Sequence, residues 1–165
     1  MTAASTKEII LARLQALGVP FTLFEHAAAN TIADCLALPC AEADVTFCKN
    51  ILLCNRQQTA FYLYVTPPEK PFRTADTSKA LGVSRLSFAP ANCLVEMLHL
   101  HSGSLSPLGL WFDESRKITL VFDRDIRTGG RIAFHPCDNT ATVVFTQKDF
   151  FTRIVPSLHH DPVWI

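Results

Sequence analysis

The sequence of 165 residues has no excess of charge of either sign and few charged residues altogether. Fifteen Lys and Arg balance fifteen Asp and Glu, and charged residues make up only 18 % of the chain. A broad face for duplex nucleic acid normally shows a basic excess, so the balance argues against such a face and against DNA as a partner. A small basic pocket for a single nucleotide end stays compatible with it, because net charge says nothing about local clustering.

The sequence also has no long apolar run and no recognisable leader. No stretch approaches the roughly 20 consecutive apolar residues that a membrane-spanning helix requires. The first eight residues, Met-Thr-Ala-Ala-Ser-Thr-Lys-Glu, contain no basic segment followed by an apolar one, so they do not match a signal peptide. We therefore expect no membrane partner and a cytoplasmic location.

Close cysteine pairs and the usual serine nucleophile motif are missing as well. The six cysteines, at positions 35, 40, 48, 54, 93 and 137, include no C-x2-C spacing of the kind that binds zinc. His99 and His101 form an H-x-H pair, but no third ligand accompanies them. No G-x-S-x-G elbow is present. We predict free, mostly buried thiols, no metal and no other cofactor.

What the sequence does contain is enough apolar material for a full core. Hydrophobic residues make up 48 %, twelve of them Phe, and the length fits one domain over residues 1–165. Periodicity and breaker residues predict helices at 5–17, 31–38, 78–81, 90–99 and 147–155, and strands at 21–24, 47–54, 60–66, 118–122, 132–134 and 141–145. Their irregular alternation predicts an α/β (α+β) fold, with a mixed central β-sheet or a partly closed barrel flanked by helices.

Lys49 stands out because it lies inside an apolar run, Phe47–Cys54, that otherwise belongs in the interior. A lysine in such a run must extend to solvent, pair with another group or line a cavity. Asn50 follows it directly, and successive side chains on a strand point to opposite faces, so one of the two should face inward. The pattern alone leaves open whether Lys49 lines a cavity or is a solvent-facing lysine of an edge strand.

Two other segments could hold a ligand. The loop at 102–109 combines two glycines, three serines and a proline, and such small residues let backbone amides approach a ligand, although an ordinary surface turn has the same composition. The segment His135-Pro-Cys-Asp-Asn-Thr140 is typical of a turn between two strands. A nucleophilic pair of Cys137 with His135 is the alternative, but adjacency in sequence does not create the geometry that such a pair needs.

Four segments in order give the chain its resemblance to a known family. They are Cys48–Leu53, Ala80–Phe88, Gly103–Leu110 and Phe134–Thr142. With them the chain resembles the YbaK/aminoacyl-tRNA-synthetase-associated editing domain, the fold of the editing insertion in bacterial prolyl-tRNA synthetase and of its freestanding relatives. The F-H-P-x-x-N-T-A-T segment is most similar to the PrdX (ProX) branch, whose members deacylate alanyl-tRNA(Pro).

The resemblance implies a trans-editing hydrolase that cleaves the ester between a mischarged amino acid and the terminal adenosine of tRNA, by positioning a water. It implies catalytic roles for Lys49, Gly103 and His135. It implies substrate-binding roles for Asn50, Ser104, Ser106, Pro107, Leu108, Gly109, Asn139 and Thr140. The expected partner is the 3′ acceptor end of tRNA, with prolyl-tRNA synthetase or an elongation factor as candidates to present it.

Two departures from the family pattern bear on specificity. Cys48 stands where the family often has a small or hydroxyl residue, and Leu108 stands where it often has Phe. A changed wall residue alters pocket size, so removal of another small amino acid, Cys or Ser, is an alternative. A non-catalytic module that binds the tRNA end or an aminoacyl nucleotide is a second alternative, and a hydrolase of other small esters is a third.

Overall fold

The computed structural model describes residues 4–100 and 103–165. The α-helices are α1 (Thr6–Ala16), α2 (Ile32–Leu36), α3 (Thr74–Leu81), α4 (Ala91–Leu98), α5 (Gln147–Asp149) and α6 (Val155–Ser157). A 3-10 helix covers Pro107–Phe112, and a π-helical turn at Phe150–Ile154 joins α5 to α6. The strands are β1 (Thr22–Glu25), β2 (Val45–Phe47), β3 (Lys49–Cys54), β4 (Phe61–Thr66), β5 (Ser87–Phe88), β6 (Ile118–Phe122), β7 (Arg131–Phe134), β8 (Ala141–Thr146) and β9 (Val163–Trp164).

These strands form two mixed sheets. The first has the order β1-β8-β7-β2, in which only the β7–β2 pair is parallel. The second has the order β5-β3-β4-β6-β9, antiparallel from β5 to β4 and parallel from β4 to β9. The mixed α/β class predicted from the sequence is confirmed, and the strands are divided between two sheets.

The chain changes sheets within the apolar run that the sequence analysis treated as one strand. β2 ends at Phe47 in the first sheet and β3 begins at Lys49 in the second, so the run is broken at Cys48. The prediction of a single strand over 47–54 was therefore wrong at this point. Hydrophobicity alone does not show the break, because no glycine or proline stands at the junction and Cys48 is apolar and buried like Phe47 before it.

Local signals account for the two helices nearest the site. Ser5 and Glu8 form a capping box at the start of α1, and Thr31 and Asp34 form one at the start of α2. The Asp34 carboxylate accepts the backbone N–H groups of Asn30 at 3.1 Å and Thr31 at 3.2 Å. This cap fixes the segment that leads into α2.

A phenylalanine cluster fills the space around the π-helical turn. Phe150 is fully buried, and its ring centroid lies 4.9 Å from that of Phe134, 5.8 Å from that of Phe145 and 6.0 Å from that of Phe122. Phe122 belongs to the second sheet and the other two to the first, so the cluster packs the sheets together. Among the described residues, no helix has the length and hydropathy needed to span a membrane.

Candidate active site

A cavity of about 270 Å³ lies where the chain passes from one sheet to the other. Its lining is mostly apolar with a few polar groups, the usual composition of a small-molecule site. The lining residues are Ala29, Asn30, Thr31, Ile32, Cys35, Cys48, Lys49, Asn50, Ile51, Gly103, Leu105 and His135. Residues from α2, the β2–β3 junction, the segment after position 102 and the end of β7 therefore converge here.

Lys49 and Asn50 enter the cavity wall because they open β3. Lys49 pairs with Thr66 across the hairpin, is half-buried and donates a hydrogen bond from Nζ to the backbone carbonyl of Lys70. Of the two readings left open by the sequence, the structure favours a lysine that lines a cavity. The Asn50 amide donates to the Cys48 carbonyl at 3.4 Å, while its buried Oδ1 has no partner among the described residues. That oxygen is an acceptor available to a ligand.

The hydrogen bonds of His135 determine its tautomer. Nδ1 lies 2.8 Å from the Ala141 carbonyl, which can only accept, so Nδ1 carries the proton. Nε2 is then an acceptor, and it lies 3.5 Å from the Cys35 Sγ, which donates to it. Burial lowers the pKa of His135, so the ring is neutral at neutral pH. The residue brings an imidazole acceptor to the cavity wall.

A buried threonine and a second histidine extend the hydrogen bonds of His135 on the side away from Cys35. Thr142 is fully buried, and its Oγ1 lies 2.8 Å from Nε2 of His26 and 3.4 Å from Nδ1 of His135. Nδ1 of His26 donates to the Ala27 carbonyl at 2.7 Å, so its Nε2 accepts from the threonine hydroxyl. The hydrogen bonds therefore form one series with a common direction. It begins at the Cys35 thiol, passes through His135, Thr142 and His26, and ends at the Ala27 carbonyl.

His26, Thr142 and Cys35 were not predicted as site residues from the sequence. β1 and β8 pair in a register that places Phe24 opposite Thr142, and the His26 N–H continues the ladder to the Thr140 carbonyl. Residues more than a hundred positions apart meet only through this pairing. No pattern in the sequence marked Thr142, because β8 is buried from Ala141 to Phe145 and shows no alternation of buried and exposed residues.

The thiols near the site are protonated. Cys137 is buried against Gly109 and makes no pair with His135, so the pair considered from the sequence is not formed. Burial raises the pKa of Cys137 and of Cys48, each to about 12. Burial, with the nearby Asp34 carboxylate, also raises the pKa of Cys35. A raised thiol pKa beside a lowered imidazole pKa leaves a neutral pair, not the ion pair that activates a cysteine nucleophile.

The predicted loop residues divide into two groups. Gly103 lines the cavity, whereas Ser104 is buried beside it. Ser106, Pro107, Leu108 and Gly109 form the start of the buried 3-10 helix, where the Ser106 hydroxyl accepts the Leu108 N–H at 3.2 Å. These four residues lie outside the cavity lining, because Pro107 at the first helical position and the serine cap favour helix over an open loop.

The residues predicted after His135 lie in the turn between β7 and β8. Asn139 donates to the side-chain oxygen of Asn30 at 2.5 Å and so reaches the cavity wall through that residue. The Thr140 hydroxyl donates to Asp138 at 2.6 Å within the turn. Of the H-x-H pair, His99 packs against Phe112 with the two rings tilted by 51°, and His101 lies outside the described residues. Within the described ranges, no three His, Cys, Asp or Glu side chains are grouped to hold a metal ion.

The lowered pKa of His135 predicts a pH-dependent contribution to stability. Below the ordinary value of 6.5 the unfolded chain takes up a proton at this residue, whereas the folded protein does not until its own, lower pKa is reached. The free energy of unfolding should therefore decrease as the pH is lowered below 6.5. The contribution of this residue is at most about 1.4 kcal/mol per pH unit. Above 6.5 both states are neutral and the contribution vanishes.

Urea unfolding of the wild type and His135→Gln between about pH 5 and pH 7.5 measures this effect. Groups that titrate identically in both proteins cancel in the difference between the two curves. The free energies of unfolding of the two proteins should change in parallel at the upper end of the pH range and should converge below pH 6.5. Parallel curves over the whole range would show that His135 gains its proton as readily in the folded protein as in the unfolded chain.

Comparisons with known proteins agree on one family. The model of the aminoacyl-tRNA editing domain matches residues 26–152. The prolyl-tRNA editing protein ProX of Acetoanaerobium sticklandii is 31 % identical over 87 % of this chain and 87 % of its own length. The prolyl-tRNA synthetase associated domain-containing protein 1 of Danio rerio is 30 % identical over 91 % of this chain and 81 % of its own.

A solved structure shows the same fold at much lower identity. It is described as a candidate trans-editing enzyme for prolyl tRNA synthetase, with a TM-score of 0.71 and 13 % identity over 98 % of this chain and 97 % of that one. The matched family region contains every lining residue of the cavity described above. This chain therefore belongs to the aminoacyl-tRNA editing domain family and is an aminoacyl-tRNA deacylase.

Proposed function

We propose that this deacylase removes alanine from mischarged tRNA(Pro). The observation that carries the proposal is the meeting of Lys49, Asn50 and His135 in one small, mostly apolar cavity. The ProX relative, a prolyl-tRNA editing protein, supports tRNA(Pro) as the tRNA. Alanine is smaller than proline, and a synthetase pocket cannot strongly reject an amino acid smaller than its own, so a second site that admits only the smaller one completes the selection.

The reaction is attack by water on the carbonyl carbon of the aminoacyl ester. The bond to the ribose oxygen of the terminal adenosine breaks, that oxygen takes up a proton, and alanine and uncharged tRNA leave. An aminoacyl ester is already activated, so positioning the ester and stabilising the developing oxyanion suffice. This agrees with the protonated state of Cys35 and Cys48, since neither is needed as a nucleophile.

Each polar group of the cavity has a role in the proposal. The Lys49 ammonium anchors the terminal phosphate and ribose, because it is the cation of the lining. The unpartnered Oδ1 of Asn50 accepts from the α-ammonium group of the amino acid. Nε2 of His135 accepts from a ribose hydroxyl, which takes the place of the weaker Cys35 thiol donor, since the other ring nitrogen already carries the proton. Gly103 brings backbone close to the ester.

The remaining predicted residues take supporting roles. Asn139 orients Asn30 in the wall, and Thr140 holds the turn beside it. Ser104, Ser106, Pro107, Leu108 and Gly109 support the segment that carries Gly103. Of the two departures from the family pattern, Cys48 lines the cavity and Leu108 is buried in the core. Of these two positions, only Cys48 can therefore affect the size of the pocket.

Under this proposal the chain acts in the cytoplasm, where tRNA is aminoacylated. Its main contact is the single-stranded 3′ end of tRNA. Its zero net charge gives it little attraction to a long duplex, so prolyl-tRNA synthetase or an elongation factor would present the tRNA. Such a partner would supply the affinity that the chain's own charge does not.

A deacylation assay tests the proposal. The purified protein is mixed separately with alanyl-, cysteinyl-, seryl- and prolyl-tRNA(Pro), and ester loss is compared with the rate without protein. We expect rapid loss of alanine and no loss of proline. Faster loss of cysteine or serine than of alanine would replace the proposed amino acid. No loss above background with any of them would overturn the proposed reaction.

Gly103 offers a prediction with a matched control. It has φ +89°, and a Cβ there would lie 3.2 Å from the Asn30 Oδ1 in the cavity wall. Gly129 has φ +87°, but nothing lies within 4 Å of an added Cβ. Alanine at either position should cost about 1 kcal/mol or more of stability, because both adopt a backbone conformation that L-residues disfavour.

Only Gly103→Ala should also slow alanyl-tRNA(Pro) deacylation, since only it crowds the cavity. Chemical denaturation measures the shared loss of stability, and the deacylation rate measures the difference between the two variants. Equal rates for Gly103→Ala and Gly129→Ala would remove Gly103 from the proposed site.

A further inference from the structure

A buried carboxylate outside the cavity gathers several donors. The Asp123 side chain is 1 % exposed and follows β6. It accepts from the hydroxyls of Tyr64 and Thr66, the latter at 3.1 Å, and from Nζ of Lys70 at 2.8 Å. The backbone N–H of Asp125 adds a fourth donor at 2.8 Å. Burial alone would raise the pKa of the Asp123 carboxyl, but the hydrogen bonds from Lys70 and Tyr64 hold it below its ordinary value.

The lysine in this cluster connects it to the active site. Lys70 ends a turn that starts at Pro67, directly after β4, and its backbone N–H donates to the Pro67 carbonyl at 3.3 Å. Its side chain binds Asp123, and its backbone carbonyl accepts from Nζ of Lys49. The chain of contacts thus runs from a buried carboxylate, through one turn, to the cation of the cavity.

We propose that Asp123 is a positioning residue for Lys49, acting through the side chain and carbonyl of Lys70. Asp123 does not line the cavity, so it does not touch the substrate. The proposal rests on the proposed role of Lys49 as substrate anchor. In it, the ion pair between Lys70 and Asp123 holds the Lys49 ammonium group in a fixed direction.

A lysine side chain needs such a support because it is long and flexible. It loses rotamer entropy when it is held in one conformation, and an unsupported ammonium group spends much of its time elsewhere. One of its three N–H bonds goes to the Lys70 carbonyl, which leaves two for a ligand. If the turn is released, the ammonium group loses its fixed direction although Lys49 itself is unchanged.

Three variants test the proposal in the full chain. Lys70→Met removes the ion pair at a side chain that is 40 % exposed, and Asp123→Asn removes the charge at the buried end. Asp125→Asn is the matched control, because it removes the other partner of Lys70, a carboxylate 70 % exposed. We expect Lys70→Met and Asp123→Asn to lower kcat for alanyl-tRNA(Pro) by about tenfold, since small misplacements of a binding group are costly.

Asp125→Asn should stay within about twofold of the wild type, as expected for an exposed ion pair. Lys70→Arg keeps the ion pair and should restore most of the rate lost in Lys70→Met. In a Lys49→Ala background, Lys70→Met should cause no further loss, whereas a general loss of structure would lower the rate in both backgrounds. Equal losses in both backgrounds, or a wild-type rate in Lys70→Met, would overturn the proposal.

A readout that needs no substrate separates this proposal from the proposed function. The NMR signals of the Lys49 ε-methylene and ammonium groups should shift in Lys70→Met and Asp123→Asn and stay in place in Asp125→Asn. Unmoved Lys49 signals in all three variants would overturn the positioning role even if the enzyme is active. Shifted signals in a protein that does not deacylate alanyl-tRNA(Pro) would instead support the positioning role while the proposed function fails.

Discussion

Replacing Lys49 with alanine is expected to lower the rate of alanyl-tRNA(Pro) deacylation by about a hundredfold, because without this anchor the ester is misplaced relative to the attacking water. The cavity is mostly apolar, so a charge–charge contact within it is stronger than the same contact in water. Among the described residues that line the cavity, no second cation is present to replace it. Single-turnover deacylation with enzyme in excess measures the effect on kcat separately from tRNA binding.

Lys79→Ala is the matched control for this substitution. Lys79 is an exposed lysine in the last turn of α3 and does not line the cavity. It should deacylate at the wild-type rate, and both variants should unfold close to the wild-type temperature, because Lys49 is only half-buried. A wild-type rate in Lys49→Ala would leave the family assignment intact and remove Lys49 from the mechanism.

The second large effect is expected from enlarging the cavity. Ile32 opens α2 and forms part of the wall. Ile32→Ala should admit proline and raise the rate of prolyl-tRNA(Pro) hydrolysis by between about tenfold and 200-fold, the range by which an apolar pocket discriminates one methylene group. Alanine already fits the cavity, so the rate of alanyl-tRNA(Pro) hydrolysis should change little.

Leu36→Ala controls for changes in α2 itself. Leu36 ends the same helix, is 51 % exposed and lies outside the cavity lining. Hydrolysis of both esters is measured with both variants under identical conditions. Ile32→Ala could instead leave prolyl-tRNA(Pro) unhydrolysed and slow the hydrolysis of alanyl-tRNA(Pro). That result would show that the wall holds the alanine side chain and does not exclude proline by size.

Elements that depend on neighbouring residues were predictable. The helix predicted at 5–17 forms as α1, which the capping box of Ser5 and Glu8 starts, and the strand predicted at 60–66 forms as β4. Lys49 was marked because its charge contrasts with the residues on either side of it. In each case the relevant energy lies in hydrogen bonds and side chains within a few positions along the chain.

Features that depend on distant residues were not predictable. The cavity exists because β2 and β3 enter different sheets on either side of Cys48, and no glycine or proline marks that break in the sequence. The tautomer of His135 is determined partly by the Ala141 carbonyl beside it and partly by Cys35, which is a hundred positions away. The contact between Lys49 and the Lys70 carbonyl depends on Asp123, more than fifty positions further on.

The sequence by itself determined the family and the mixed α/β class and marked Lys49 as a candidate, because these follow from local patterns and ordered motifs. The tertiary structure decided which residues share the cavity with Lys49. It removed Ser106, Pro107, Leu108 and Gly109 from the lining, since that segment gains more from a buried helical turn than from an open loop. It added Cys35, Ile32 and Ala29, because the pairing of β1 with β8 and the cap of α2 bring this segment against His135.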